Sequence, residues 1–190
     1  VYDDRLAEQL LGMGITQQRM GNHLAATNSF EQSLHLDKVN NGLEHLQQAA
    51  LMELLIDSYT ALGEWERVDA YQQYLYWLHL RAYGESDPRL IPVLTRLGRW
   101  HMRASELATE SVPLAHLRRA SKAFRRAVNI GEAAYGLNDV RLLDPLYGFA
   151  LGSYYVAASS SSRGANGLGN NARNQVNSYE EGLARAELVA

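Results

Sequence analysis

Ala82-Tyr83-Gly84-Glu85-Ser86-Asp87-Pro88-Arg89-Leu90-Ile91-Pro92-Val93-Leu94-Thr95-Arg96-Leu97-Gly98 decides the fold, because the chain writes it twice. It returns as Ala134-Tyr135-Gly136-Leu137-Asn138-Asp139-Val140-Arg141-Leu142-Leu143-Asp144-Pro145-Leu146-Tyr147-Gly148-Phe149-Ala150, with seven of seventeen positions identical. The same Asp-x-Arg-Leu core stands near the start as Asp3-Asp4-Arg5-Leu6, followed by Gly14 where the middle copy has Gly98. Asp3 and Asp87 are 84 residues apart, two units of 42; Asp87 and Asp139 are 52 apart, one unit plus ten. A fixed period of this size marks a repeat array, in which each unit covers an apolar face that its neighbour cannot bury alone.

At 190 residues the chain suits one ordinary domain with a sizeable core, and a hydrophobic content of 46% is normal for a globular protein. The richest apolar run, Leu146 to Ala158, is too short for a membrane-spanning helix and carries Gly and Ser, so no transmembrane segment is expected. The net charge is −3 but unevenly spread: residues 1–90 carry 13 acids and 6 bases, residues 91–190 carry 8 acids and 12 bases. That balance does not suggest a nucleic-acid partner. With no cysteine there is no disulfide or thiolate chemistry, which fits bacterial cytoplasm or periplasm and excludes neither. The sequence starts at Val1 rather than Met, as expected of a mature form or an excised piece.

The spacing of Leu6, Leu10 and Met13, with Leu11 and Ile15 on the flank, predicts an amphipathic helix from Leu6 to Met20. Gly21-Asn22 signals a turn, and a second helix follows from His23 to Leu36 with Ala26, Phe30, Ser33 and Leu34 inward. Leu10, Gly14, Gly21, Ala26 and Phe30 fall at the spacing of the tetratricopeptide repeat: apolar, small, turn glycine, Ala, Phe. Forty-two residues on, Met52, Ile56, Tyr59, Gly63 and Trp65 fill the frame, with Val68 in the Ala position and Gln72 where Phe is expected. The third unit has Leu94, Leu97, Gly98 and His101, then Ala120, Phe124 and Ala127. The small residues let two helix backbones approach, and the aromatic fills the space beside them.

On these residues the chain resembles tetratricopeptide repeat proteins. The 42-residue period and the Tyr83-Gly84-x-x-Asp87-Pro88 linker resemble the kinesin-light-chain type, and the whole chain is similar to uncharacterised tetratricopeptide proteins of Gram-negative bacteria. The resemblance implies an all-α fold, a right-handed superhelix of about four helical hairpins. It is expected to form a single domain over 1–190 with units near 3–42, 43–84, 85–136 and 137–190. Gly84 is expected to end one helix and Asp87-Pro88 to start the next. Two interruptions break the frame. The third unit has ten extra residues around Ser105 to Leu114, and the fourth a Ser/Gly/Asn stretch over 159–177 before a returning helix at Ser178 to Val189. Such a composition cannot bury enough apolar surface to offset its ordering entropy, so it reads as a mobile loop.

No constellation for catalysis, cofactor or metal emerges. Gly164-Ala165-Asn166-Gly167-Leu168-Gly169 has the spacing of a phosphate loop, but Asn170-Asn171 stand where Lys-Ser/Thr must be. The six histidines (His23, His35, His45, His79, His101 and His116) show no local metal-ligand spacing, so no metal or cofactor is expected. Glu53 and Asp57 share a helix face, yet nothing suggests a dry pocket that would shift a pKa. Arg118, Arg119, Lys122, Arg125 and Arg126 line one side of a helix expected over His116 to Val128, read as a solvated face or as a contact for acidic protein or lipid.

In tetratricopeptide folds the first helices of successive units line a concave groove, where ligands lie. By that resemblance the groove would offer Glu8, Leu11, Ile15 and Gln18 from unit one, and Glu53, Asp57 and Thr60 from unit two. Thr95, Arg99, Met102 and Arg103 would come from unit three, and Tyr147, Leu151, Tyr154 and Tyr155 from unit four. Arg and Tyr dominate binding hot spots through bidentate pairing and large apolar area with a polar tip. The Lys/Asn carboxylate clamp of chaperone-binding members is not expected, since Glu53, Asp57 and Thr95 stand at the comparable positions. The expected function is a non-catalytic scaffold holding a peptide or partner protein. The alternatives are self-association through a solenoid end around Tyr147, Tyr154 and Tyr155 in a self-assembling or cell-envelope structure, and a regulatory or sensor module of a larger protein.

Overall fold

The computed structural model of the protein describes residues 4–107 and 113–161, together with Ala184. Among them are seven α-helices, one 3-10 turn at Val140–Leu142 and no strand. The helices are α1 (Asp4–Arg19), α2 (His23–Asn41), α3 (Gln48–Leu62), α4 (Trp65–Tyr83), α5 (Leu90–Leu107), α6 (Pro113–Tyr135) and α7 (Leu143–Ser161). They fall into two compact units that part after Gly84.

In the first unit α1 packs on α2, α2 on α3 and α3 on α4. Ala26, Phe30, Ser33 and Leu34 are buried as helical spacing requires, and α2 continues past Leu36 to Asn41. The α1–α2 approach depends on Gly14: a methyl group there would lie 2.5 Å from Cδ1 of Phe30, far inside van der Waals contact. Ser29 and Ser33 donate to Gln17 Oε1 at 2.8 Å and to the Ala7 carbonyl at 2.9 Å, tying the same two helices. The apolar stripe expected on α1 is only half realised. Leu6 and Met13 are 44% and 46% exposed, and Gly14 is the one buried residue among those whose burial is described. The reason is geometric: α2 covers one side of α1, and α3 touches it only lightly. In the second hairpin Met52, Ile56, Tyr59, Val68 and Gln72 are all buried, so the repeat frame holds there despite its weaker sequence match. Tyr59 and Tyr71 stack with ring centroids 5.8 Å apart and both donate to Glu31 Oε1, at 2.7 and 3.2 Å. Burial and that carboxylate push the Tyr59 hydroxyl up to about 12.

The second unit repeats the device and doubles it. Phe124 of α6 lies between Gly98 of α5 and Gly148 of α7. A methyl on Gly98 would stand 2.7 Å from its Cζ, and one on Gly148 would press on the same ring. Phe124 is buried with Ala120 and Phe149, and Met102 packs against them. Burying a ring of this size stabilises by roughly 1.5–3 kcal/mol. A second cluster joins Val128, Leu142 and Leu146. The ten-residue interruption is partly helical: α5 runs through Leu107, and α6 begins at Pro113, where a missing N–H costs nothing. Likewise α7 runs through Ser161, so the first serines of the Ser/Gly/Asn stretch are helical, not loop. The rest of that stretch and the helix expected over 178–189 lie outside the described residues, except Ala184, which is helical.

The repeated segment now has a physical meaning. Gly84 and Gly136 take φ of 82° and 91°, which L side chains resist, and their N–H groups close onto the carbonyls of Leu80 and Glu132 at 2.9 Å. Asp87 then accepts from the Arg89 N–H at 2.9 Å and from its Nε and Nη2 at 2.9 and 2.7 Å. Asp139 does the same with Arg141, at 2.9, 2.7 and 2.8 Å. Each aspartate carbonyl accepts the next leucine's N–H, and those leucines, Leu90 and Leu142, are fully buried. The motif is a clasp that turns the chain into its next helix and plugs a leucine into the core. The arginine hydrogen bonds hold both carboxyls down at about 2.

A further junction lies 42 residues before Gly84, concealed in the sequence. Gly42 has φ 84° and bonds the Lys38 carbonyl at 3.0 Å, and His45 O accepts from Gln48 N–H at 3.0 Å as Asp87 O does from Leu90. Side chains differ while the backbone repeats. Gln48, buried where the other copies have leucine, donates to Gly42 O at 2.7 Å, and His45 Nδ1 stands 3.3 Å from the Asp37 carboxylate.

Candidate functional site

The first-helix face of the second unit gathers six of the residues expected there. A hollow of about 600 Å³ is lined by Arg99, Met102 and Arg103 of α5 and by Tyr147, Leu151 and Tyr155 of α7. Phe124 and Gly148 form its floor, and Glu106 and Asp144 add carboxylates at its margin. The helix period explains the set: 99, 102, 103 and 106 share one face of α5, and 144, 147, 148, 151 and 155 share one face of α7. The glycine at 148 lets Phe124 seat closely against α7, because an added Cβ would lie far inside contact distance of that ring.

The polar groups are arranged, not scattered. Arg99 Nη2 donates to Asp144 Oδ2, an exposed ion pair that ties α5 to α7. Tyr147 is 59% exposed and Tyr155 43%. Tyr154 is also exposed and meets Tyr155 edge-on at 5.5 Å, but it does not line the hollow. Thr95 does not take part: it is buried, and its hydroxyl donates back to the Ile91 carbonyl at 2.8 Å. The arrangement joins cations, carboxylates and an apolar floor.

Among the described residues of the first unit, those expected at the groove are placed differently. Glu8 and Asp57 are exposed, while Leu11, Ile15, Glu53 and Thr60 are half-buried. Gln18 is a strut, since its amide donates to the Leu54 carbonyl at 3.1 Å and to Ser58 Oγ at 2.9 Å. A hollow of about 470 Å³ lies elsewhere, between Leu6 and Leu10 of α1 and Asn28, Glu31, Gln32 and His35 of α2. None of these was expected as a site residue.

On α6, Ala120, Phe124, Ala127 and Val128 are buried and Arg118, Arg119, Lys122 and Arg125 exposed, the two faces that the sequence separates. Arg125 lies over the Phe149 ring at 4.8 Å, so part of this basic row covers apolar surface. One pair escaped local spacing altogether. His101 of α5 and His116 of α6, fifteen residues apart, bring their Nδ1 atoms to 3.2 Å.

Stacked helix pairs, small-residue contacts and glycine-ended junctions define a helical repeat fold of the tetratricopeptide type. Comparison with solved structures shows the same fold. The match to BtubC (BKLC) from P. vanneervenii covers 100% of this chain and 65% of that chain, with a TM-score of 0.66 and 17% identity. Two structures of a putative kinesin light chain from Podospora anserina, with nearly identical TPR-like repeats, match 98% of this chain and 93% of theirs. Their TM-scores are 0.57, at 13% and 12% identity. No protein-family model and no curated protein sequence matches the chain. No described helix is long and apolar enough to cross a membrane.

Proposed function

We propose that the chain is a non-catalytic scaffold that holds a peptide segment of a partner protein against the α5–α7 face. The observation that carries this is the hollow where Arg99, Met102, Arg103, Tyr147, Leu151 and Tyr155 converge over Phe124. An apolar side chain of the peptide would enter over Met102 and Phe124, flanked by the tyrosines, and an acidic one would meet Arg103. Arginine and tyrosine at the centre of an interface each carry 2 kcal/mol or more, by general experience of about that size.

The test is peptide display on the chain and on an Arg103→Ala, Tyr147→Ala variant of unchanged circular dichroism. Peptides selected on the native chain should bind the variant at least tenfold more weakly. Equal binding to both would move the contact elsewhere. Turnover of a hydrolase or transferase substrate abolished by Glu53→Gln would overturn the non-catalytic reading.

A second reading rests on the exposed Tyr154, which lies outside the hollow: self-association through α7. Sedimentation of the native chain and of Tyr154→Ser across a range of concentrations decides it, with a strict monomer counting against it.

A further inference from the structure

We propose that His101 and His116 form a binding site for a borderline transition-metal ion, zinc being the natural occupant, which clips α5 to α6. The two Nδ1 atoms are 3.2 Å apart and the ring centroids 5.3 Å, so the nitrogens face one another nearly along the line between the rings. Zinc–imidazole bonds are about 2.0–2.1 Å, and two of them at a tetrahedral angle place their nitrogens roughly 3.3–3.4 Å apart. The observed separation meets that bite within the tolerance of about 0.2 Å expected of a preformed site. The rings are inclined by 47° instead of stacked, and from this end-on pairing each ring must swing by roughly 35° off the nitrogen–nitrogen line to aim its lone pair at a shared ion.

The repeat itself argues that this pair is more than a polar filler. Three residues after Gly14, Ile56 and Gly98, the first three hairpins have Gln17, Tyr59 and His101. Gln17 accepts from Ser29, and Tyr59 donates to Glu31. A simple polar contact therefore satisfies that position in both other hairpins. Among these three hairpins, the third sets two metal-ligating nitrogens face to face. His101 is 2% exposed, whereas His116 is half-buried and partly open to solvent. Without metal, one Nδ1–H donates to the other Nδ1. Binding moves that proton to the Nε2 of the same ring, so both Nδ1 lone pairs are offered and no net proton is released. Imidazole donors select zinc, copper or nickel over magnesium or calcium, which take oxygen.

The experiment uses the full chain without an added histidine tag. Zinc is titrated calorimetrically, and cobalt is followed by its visible absorption as a report of coordination. One ion per chain with micromolar affinity is expected, with the melting temperature rising as zinc exceeds that affinity. His116→Gln, at a half-buried position that tolerates the change, should weaken binding at least tenfold and remove the cobalt spectrum. His35→Gln, on exposed α2 surface, should change neither. The absence of saturable binding, or binding that His116→Gln leaves intact, would overturn the site.

Discussion

Phe124 shows at the scale of one residue how this fold is specified. Its ring occupies space that a side chain at 98 or 148 would need, so two glycines and one aromatic form a single packing decision. Gly98→Ala should therefore destabilise by roughly 1–3 kcal/mol, the usual result of overfilling a packed core, measured by urea unfolding. Gly12→Ala is the matched control. It lies on exposed α1 with nothing within 4 Å of the added methyl, so it should stabilise by about 1 kcal/mol through helix propensity alone. Asp139 allows a second test. Its carboxyl is depressed from the ordinary 3.8 to about 2, first by the side-chain hydrogen bonds of Arg141 and then by that residue's backbone N–H. A depressed folded pKa means that its contribution is complete above pH about 4 and is lost as pH falls through about 2. Carbon-detected NMR titration should place the Asp139 carboxyl near 2, and Arg141→Ala should return it towards the ordinary value.

At the scale of the element, the clasp explains what the sequence made legible and what it hid. The Asp-x-Arg-Leu copies at 87 and 139 are visible because clasp and plug are conserved between them in side chain as well as backbone. The junction at Gly42 uses the same backbone with His45 and Gln48, so no string comparison finds it, although its hydrogen bonds coincide. Asp37 accounts for the difference. His45→Asp would set a second carboxylate beside Asp37, costing roughly 1 kcal/mol, whereas His45→Asp with Asp37→Asn and Gln47→Arg should recover the loss by building a third clasp. Thermal melts of the two variants compare them directly. Helix identity and inward faces were readable from period alone in α2, α5 and α6. The exposure of Leu6 and Met13 was not, because amphipathic spacing tells which face can be buried and not whether a neighbour covers it. The His101–His116 pair was hidden for a related reason: its two members meet only through the packing of α5 on α6.

For the whole molecule, the charge division follows the two compact units. Residues 1–84 carry 11 acids and 5 bases, and residues 85–190 carry 10 acids and 13 bases, so the unit bearing the candidate site is the positive one. A peptide drawn to Arg103 should bind more weakly as salt rises, because at 0.15 M the screening length is already about 8 Å. Titrations at two ionic strengths would show this, and a salt-independent affinity would place the binding energy in the tyrosines and Met102 alone. Six residues of the hollow were foreseeable from repeat position. The close seat of Phe124 against Gly148 was not, since that depends on a ring supplied by another helix.

The clasp also changes how the chain keeps time. Each Gly–Asp–Arg–Leu junction closes one helix and starts the next using only residues within its own short span, with no reference to how many came before. Ten residues added to the third unit shift the count from 42 to 52, yet Leu142 is seated as fully as Leu90. The array is thus punctuated instead of metered: each junction resets the register, and length can vary between junctions without an error carried forward. Insertions are free to accumulate at the hairpin turns, where new contacts can be tried while the frame behind them stays the same.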